Sequence, residues 1–131
     1  MAEAGPLGPA TTWAFTSDYN FANVPYTFVM GAAAGRMQLA TVATSTSLLG
    51  VVITDPDSGQ NGTVQFDGIT KVRAGGSVTL YDQITTNASG RATAAASGDV
   101  VMGMALEAAG ADNEIITIWL GRDSGRHPGV V

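Results

Sequence analysis

"TVQFDGITKVR", residues 63–73, decides how the chain is read. Val64, Phe66, Gly68, Thr70 and Val72 share one side of a period of two. Gln65, Asp67, Lys71 and Arg73 share the other, with Ile69 the exception. Side chains alternate across a strand, so this is a strand with one face in a core and one face in water. The stretch is long for a strand, and Gly68 sits near its middle. A bend or bulge is expected there.

Working outward, short strands alternate with turns. Upstream lie Tyr26–Met30, a weaker Met37–Ala43, and Leu48–Thr54, which Gly50 interrupts. Asp55-Pro-Asp-Ser-Gly59 and Asn61-Gly62 are turn sequences, because proline presets φ and glycine or asparagine accepts positive φ. Downstream, Gly75-Gly76 leads to Val78–Thr85. Asn87-Ala-Ser-Gly90 turns into Arg91–Ala95, and Val100–Glu107 and Glu114–Leu120 follow. No long amphipathic helix is present in the pattern. About eight short strands at near-regular spacing predict an all-β fold, a small β-barrel or β-sandwich.

The chain also echoes itself. "LLGVVITDPDSGQNGTVQF" and "VMGMALEAAGADNEIITIW" each place a glycine between apolar residues, cross a Gly/Asp loop and enter a strand. Gly50 and Gly103 are the matching glycines. A glycine inside a strand loses packing and costs entropy, so its use is backbone geometry: a bulge, a bend or a close strand approach. Gly50, Gly68 and Gly103 are therefore read as architectural. Glu107 reads as a strand-end or rim residue. In the last strand, Ile116, Ile118 and Leu120 face one way, and Ile115, Thr117 and Trp119 the other. Both faces are mostly apolar, so a neighbouring subunit is expected to cover the second, with Ile115, Thr117 and Trp119 at an oligomer interface.

Residues 1–25 stand apart, with Pro6, Pro9 and Pro25 and the aromatics Trp13, Phe15, Tyr19 and Phe21 at odd positions. That parity suits an extended arm with its rings on one face. The arm either orders against a partner or packs on its own domain. The expected organisation is an N-terminal arm over 1–25, a β-rich body over 26–121 and a flexible tail over 122–131.

Composition narrows the function. The 131 residues carry 13% charged side chains, against about 25% in ordinary domains. The net charge is −5 and the six basic residues form no run. Nucleic acid and anionic membrane surfaces are not expected partners, since both need clustered Lys and Arg. There is no cysteine, which excludes disulfides and thiolate chemistry. No apolar run reaches the length of about 18 residues that spans a bilayer. Met1–Gly5 lacks the basic start of a signal peptide, so folding in a cytosol is expected.

No catalytic constellation emerges. His127 is the single histidine and lies in a Gly/Pro tail. Asp55, Asp57, Asp99 and Asp112 sit at turns, where aspartate bonds nearby backbone. Asp55–Gly59 lacks the further ligands of a calcium loop. Gly75-Gly76-Ser77 lacks the lysine and following helix of a phosphate loop. Asn61-Gly-Thr and Asn87-Ala-Ser match glycosylation acceptors but read as turns.

Residues 45–121 resemble the capsid decoration, or cement, proteins of tailed bacteriophages. The resemblance is carried by Gly75–Ile84, Asn87–Ala92 with its Asn-x-x-Gly-Arg-Ala, Ser97–Asp99, Met102–Ala105 and Ile115–Leu120. It implies a small, β-tulip-like fold, usually trimeric, on the outer surface of an icosahedral shell at three-fold or quasi-three-fold positions. It implies the major capsid protein of the same phage as partner, assembly after synthesis in the host bacterial cytoplasm, no enzymatic activity and no cofactor. Within that reading, Trp13, Phe15, Tyr19 and Phe21 are the expected capsid contacts. The rivals are another virion part, such as a tail-tube, head-completion or fibre domain, and a host- or carbohydrate-binding module using Trp13 or Trp119 as a stacking platform.

Overall fold

The computed structural model describes residues 10–45 and 47–126. Among the described residues ten strands form: β1 Thr12–Ser17, β2 Thr27–Gly31, β3 Arg36–Leu39, β4 Leu48–Val52, β5 Asn61–Gln65, β6 Gly68–Gly75, β7 Gln83–Thr86, β8 Ala92–Ala94, β9 Val100–Ala105 and β10 Asp112–Arg126. The fold is all-β, as the alternation and turn spacing predict. The strands close into two five-stranded barrels, ordered β1-β3-β2-β4-β5 and β10-β6-β8-β7-β9.

The long alternating stretch is where the chain passes from one barrel to the other. Its single expected strand is corrected to two. β5 ends at Gln65 and β6 begins at Gly68, whose φ of 88° lies in the left-handed region that favours glycine. Val64 points into barrel 1, and Thr70 and Val72 point into barrel 2; all three are buried. The buried Gln65 amide fastens the passage: Nε2 donates to the carbonyls of Asp67 at 2.7 Å and Ile69 at 3.1 Å.

The two barrels are wired alike. In each, the first strand pairs in parallel with the third: Ser17 with Met37, and Ala74 with Ala92. Val29 is registered with Gly50 in β2–β4, as Ile84 is with Gly103 in β7–β9. Val51 faces Gln65 across β4–β5, as Met104 faces Trp119 across β9–β10. Tyr26 N–H donates to Val52 O at 2.7 Å, and Tyr81 N–H to Ala105 O at 2.9 Å. Both tyrosines hold positive φ, 64° and 70°. The turns Ala32–Arg36 and Asn87–Arg91 close with matching bonds, and Gly35 and Gly90 have φ of 73° and 74°. The echo in the sequence is the hairpin part of a repeat that includes every strand.

Each barrel has its own apolar interior. Phe21, Val29, Met37, Val52 and Val64 fill barrel 1. Val72, Ile84, Ile116, Ile118 and Leu120 are among those filling barrel 2. Phe28, Val51 and Ile53 of barrel 1 join the second cluster and not the first. Barrel 2 thus sits on one outer face of barrel 1. Arg73 secures the junction, its backbone N–H donating to Tyr26 O at 2.8 Å and its Nε to Pro25 O at 2.9 Å.

Two expected boundaries are corrected. Thr12–Ser17, read as part of an extended arm, is β1, paired from Thr12 to Thr16 with β5 and at its end with β3. The aromatic spacing there is strand parity at a barrel seam. The tail expected from residue 122 continues β10 to Arg126, with Gly125 registered opposite Val101. His127, Pro6 and Pro9 lie outside the described residues.

Candidate functional site

The first surface surrounds the aromatics of the N-terminal quarter. Trp13 shares a register position with the buried Val64, yet it is 66% exposed. Phe15 is half-buried, its ring edge-on to Phe66 with centroids 6.1 Å apart. Tyr19 is exposed and leans on Phe21 at 4.8 Å. Phe21 itself is wholly buried. The expected set of four contact rings is therefore corrected: Phe21 is core, because its backbone N–H bonds Pro56 O and its ring fills barrel 1. Trp13 and Tyr19 are the rings on offer.

Local bonds hold this surface. Ser17 Oγ accepts from Tyr19 N–H at 3.1 Å and donates to Tyr19 O. Arg36 Nε donates to Asp18 at 2.6 Å. The hydrogen bond and the charge of Asp18 raise the Arg36 pKa above its ordinary value.

The second surface is the outer face of β10. Ile115 and Trp119 are exposed, while Ile116, Ile118 and Leu120 are buried, matching the two faces read from the sequence. Thr117 between them is a polar hub. Its N–H donates to Glu107 Oε1 at 2.8 Å, and its Oγ1 accepts from Lys71 Nζ at 3.0 Å. Lys71 Nζ lies 3.8 Å from Glu107. Hydrogen bonding with Thr117, through side chain and backbone, holds the Glu107 carboxyl below the usual glutamate value; the Lys71 charge adds to this against some desolvation. Glu107 closes the β9–β10 hairpin.

The third surface was not legible in any motif. Leu80 and Tyr81, ahead of β7, are exposed, Tyr81 by 63%. The available signal was the repeat: aligning "PYTFVMGAAAGR" with "LYDQITTNASGR" puts Tyr81 on Tyr26.

Other polar features are structural. Asp99 accepts from Ala96 N–H, Asp82 from Thr79 N–H and Asn87 Oδ1 from Ser89 and Arg91 N–H, each capping its own turn. Asp112 pairs with Arg91 at 2.9 Å. Among the described residues no cluster of His, Asp or Glu could hold a metal ion. A hollow of about 410 Å³ lies between the barrels, lined by Leu48, Leu49 and Phe66 on one side and Val101, Met102 and Leu120 on the other.

The sequence pattern of the phage cement protein family matches residues 21–120, spanning both barrels. The chain belongs to the phage cement protein family. It is a structural protein of the phage capsid, and its family is not one of enzymes. The crystal structure of the head fibre gp8.5 N base of bacteriophage phi29 shares the fold of this cement protein. The TM-score is 0.67 at 20% identity, covering 91% of this chain and 100% of that one. No curated protein matches the sequence. The cement protein thus presents three apolar surfaces: Trp13/Tyr19, Ile115/Trp119 and Leu80/Tyr81.

Proposed function

We propose that this protein binds the outer surface of the expanded capsid, against the major capsid protein of its phage, and braces it. The family match across both barrels carries this reading. A brace works by touching several capsid subunits at once. Weak contacts multiply through effective concentration, and binding only one shell state stabilises that state by mass action.

The capsid contact is assigned to Trp13 and Tyr19. Exposed aromatic rings bury large areas with few rotors to freeze. The working unit is a trimer at three-fold or quasi-three-fold positions, with Ile115, Thr117 and Trp119 at the contact between copies. Two apolar exposed side chains flanking a satisfied polar hub support that assignment.

Purified protein added to undecorated, expanded capsids tests the reading. Saturable binding with a raised capsid melting temperature is expected. Failure to bind expanded shells of the same phage sinks it.

A further inference from the structure

Arg73 and Arg91 line one small cleft at the junction of the barrels, beside the exposed Tyr19. Arg73 secures the junction, but only neutral oxygens hold it. Its Nε donates to Pro25 O at 2.9 Å, Nη1 to Asn113 Oδ1 at 3.2 Å and Nη2 to Asn23 O at 3.5 Å. A guanidinium has five N–H donors, and these three bonds leave two of them over. Among the described residues Arg36, Lys71 and Arg91 each pair with a carboxylate, and Arg73 pairs with none. Arg91 gives Nη1 to both oxygens of Asp112, at 3.0 and 2.9 Å.

The repeat shows that this convergence is particular to one barrel. Ser17 is to Met37 what Ala74 is to Ala92, so Arg73 stands where barrel 1 has Thr16, and Arg91 where it has Arg36. Thr16 is uncharged, and Arg36 has Asp18 as its partner. At the same place barrel 2 sets two cations against one carboxylate, Asp112. Like charges repel, and half-buried ones are screened less by salt than those in open water. The cleft is also firm. The turn that carries Ser89 and Arg91 is pressed on barrel 1, where a Cβ on Gly90 would meet Leu39 and Thr27 side chains at 2.6 Å. The cleft holds about 60 Å³, the room of two waters at about 30 Å³ each. That suits a carboxylate group.

We propose that this cleft receives a carboxylate carried by the capsid protein, a glutamate or aspartate side chain on a surface segment. The proposal rests on the capsid reading and deepens it, because Tyr19, one of the rings assigned to that contact, lines the cleft. A planar guanidinium matches a carboxylate with parallel N–H···O bonds. Leu39 and Val24 on the wall shield such a pair from water, which strengthens it. The chain carries a net charge of −5 and repels an acidic partner over much of its surface. Arg73 and Arg91 then fix the register of contact as well as adding attraction.

Arg73 itself holds the junction together, so the test variants are placed at Ser89, which is exposed and lines the cleft. Ser89→Glu brings a carboxylate to the cleft from within the chain, and Ser89→Gln has the same shape without the charge. Capsid affinity should fall about ten-fold for Ser89→Glu and stay within about two-fold of the unmodified protein for Ser89→Gln. Equal binding by the two variants overturns the proposal. A second measurement needs no capsid. The Nε–H signals of Arg73 and Arg91 are followed by NMR in the unmodified protein as a capped Leu-Glu-Leu peptide is added. Saturable shifts are expected, and none with Leu-Gln-Leu. No shift with the glutamate peptide, or equal shifts with the glutamine peptide or with inorganic phosphate, also overturns the proposal. Failure of the unmodified protein to bind capsids sinks the capsid reading instead, and the peptide result still reports on the cleft.

Discussion

Gly103 lies flat against Trp119: a Cβ on Gly103 would overlap the Trp119 carbonyl oxygen and come within 3.0 Å of Leu120 Cα. Gly50 stands in the same relation to Gln65, where a Cβ would overlap the carbonyl oxygen and reach its carbon at 3.1 Å. Backbone cannot step aside as a flexible side chain can. Gly50→Ala or Gly103→Ala should each destabilise the fold by about 3 kcal/mol. Urea denaturation would show this as a lowered midpoint. Gly110→Ala, where nothing lies within 4 Å, is the control and should shift stability by less than about 1 kcal/mol.

Gln65→Ala should unfasten the passage between barrels. Nε2 donates to two carbonyls there, and removing it leaves both short of a donor. The expected loss is about 1–3 kcal/mol. Amide exchange at residues 66–70 should quicken more than exchange within β2.

Trp13→Ala separates binding from folding. The ring is largely in solvent, so stability should change by no more than about 0.5 kcal/mol. If the ring anchors capsid contact, affinity should fall by about 2 kcal/mol, near thirty-fold. Unchanged capsid occupancy at limiting protein would remove Trp13 from the contact.

Ile115→Ser and Trp119→Ala should each lower the oligomer mass measured by light scattering while leaving the circular dichroism spectrum intact. A full oligomer in both variants would make the β10 outer face merely surface.

Acid should loosen the β9–β10 hairpin. Glu107 has its pKa lowered in the folded state, so its contribution is present above the unfolded glutamate value. It is lost as pH falls through the lower folded value. Glu107→Gln should flatten the pH dependence of stability in that acid window. A titration of the Glu107 side-chain carbon by NMR that shows an ordinary glutamate midpoint would contradict the hydrogen-bond geometry.

Much of this fold was written in local pattern. The alternation of residues 63–73, the two faces of residues 115–120 and the turn at Asn87–Gly90 all follow from side-chain direction and turn chemistry. The two-barrel division was harder to see, because the stretch that passes between barrels keeps its period of two across the break. Val64 and Val72 look alike in sequence, though they fill different interiors. Phe21 was misread for a related reason. Parity placed it on a face with Trp13, but the chain turns between Ser17 and Val24 and carries the ring inside. The face around Tyr81 was invisible to composition, since one exposed tyrosine means little until its buried counterpart is known.

The placement of each barrel in one continuous half of the chain bears on synthesis. Barrel 1 is complete by Gln65 and barrel 2 begins at Gly68. As the chain leaves the ribosome, the first half can close before the second exists. For that interval Phe28 and Val51 stand in water, and they are covered only when barrel 2 arrives. A truncation ending near residue 66 should therefore be sticky, and slowing translation beyond that point should lower the soluble yield.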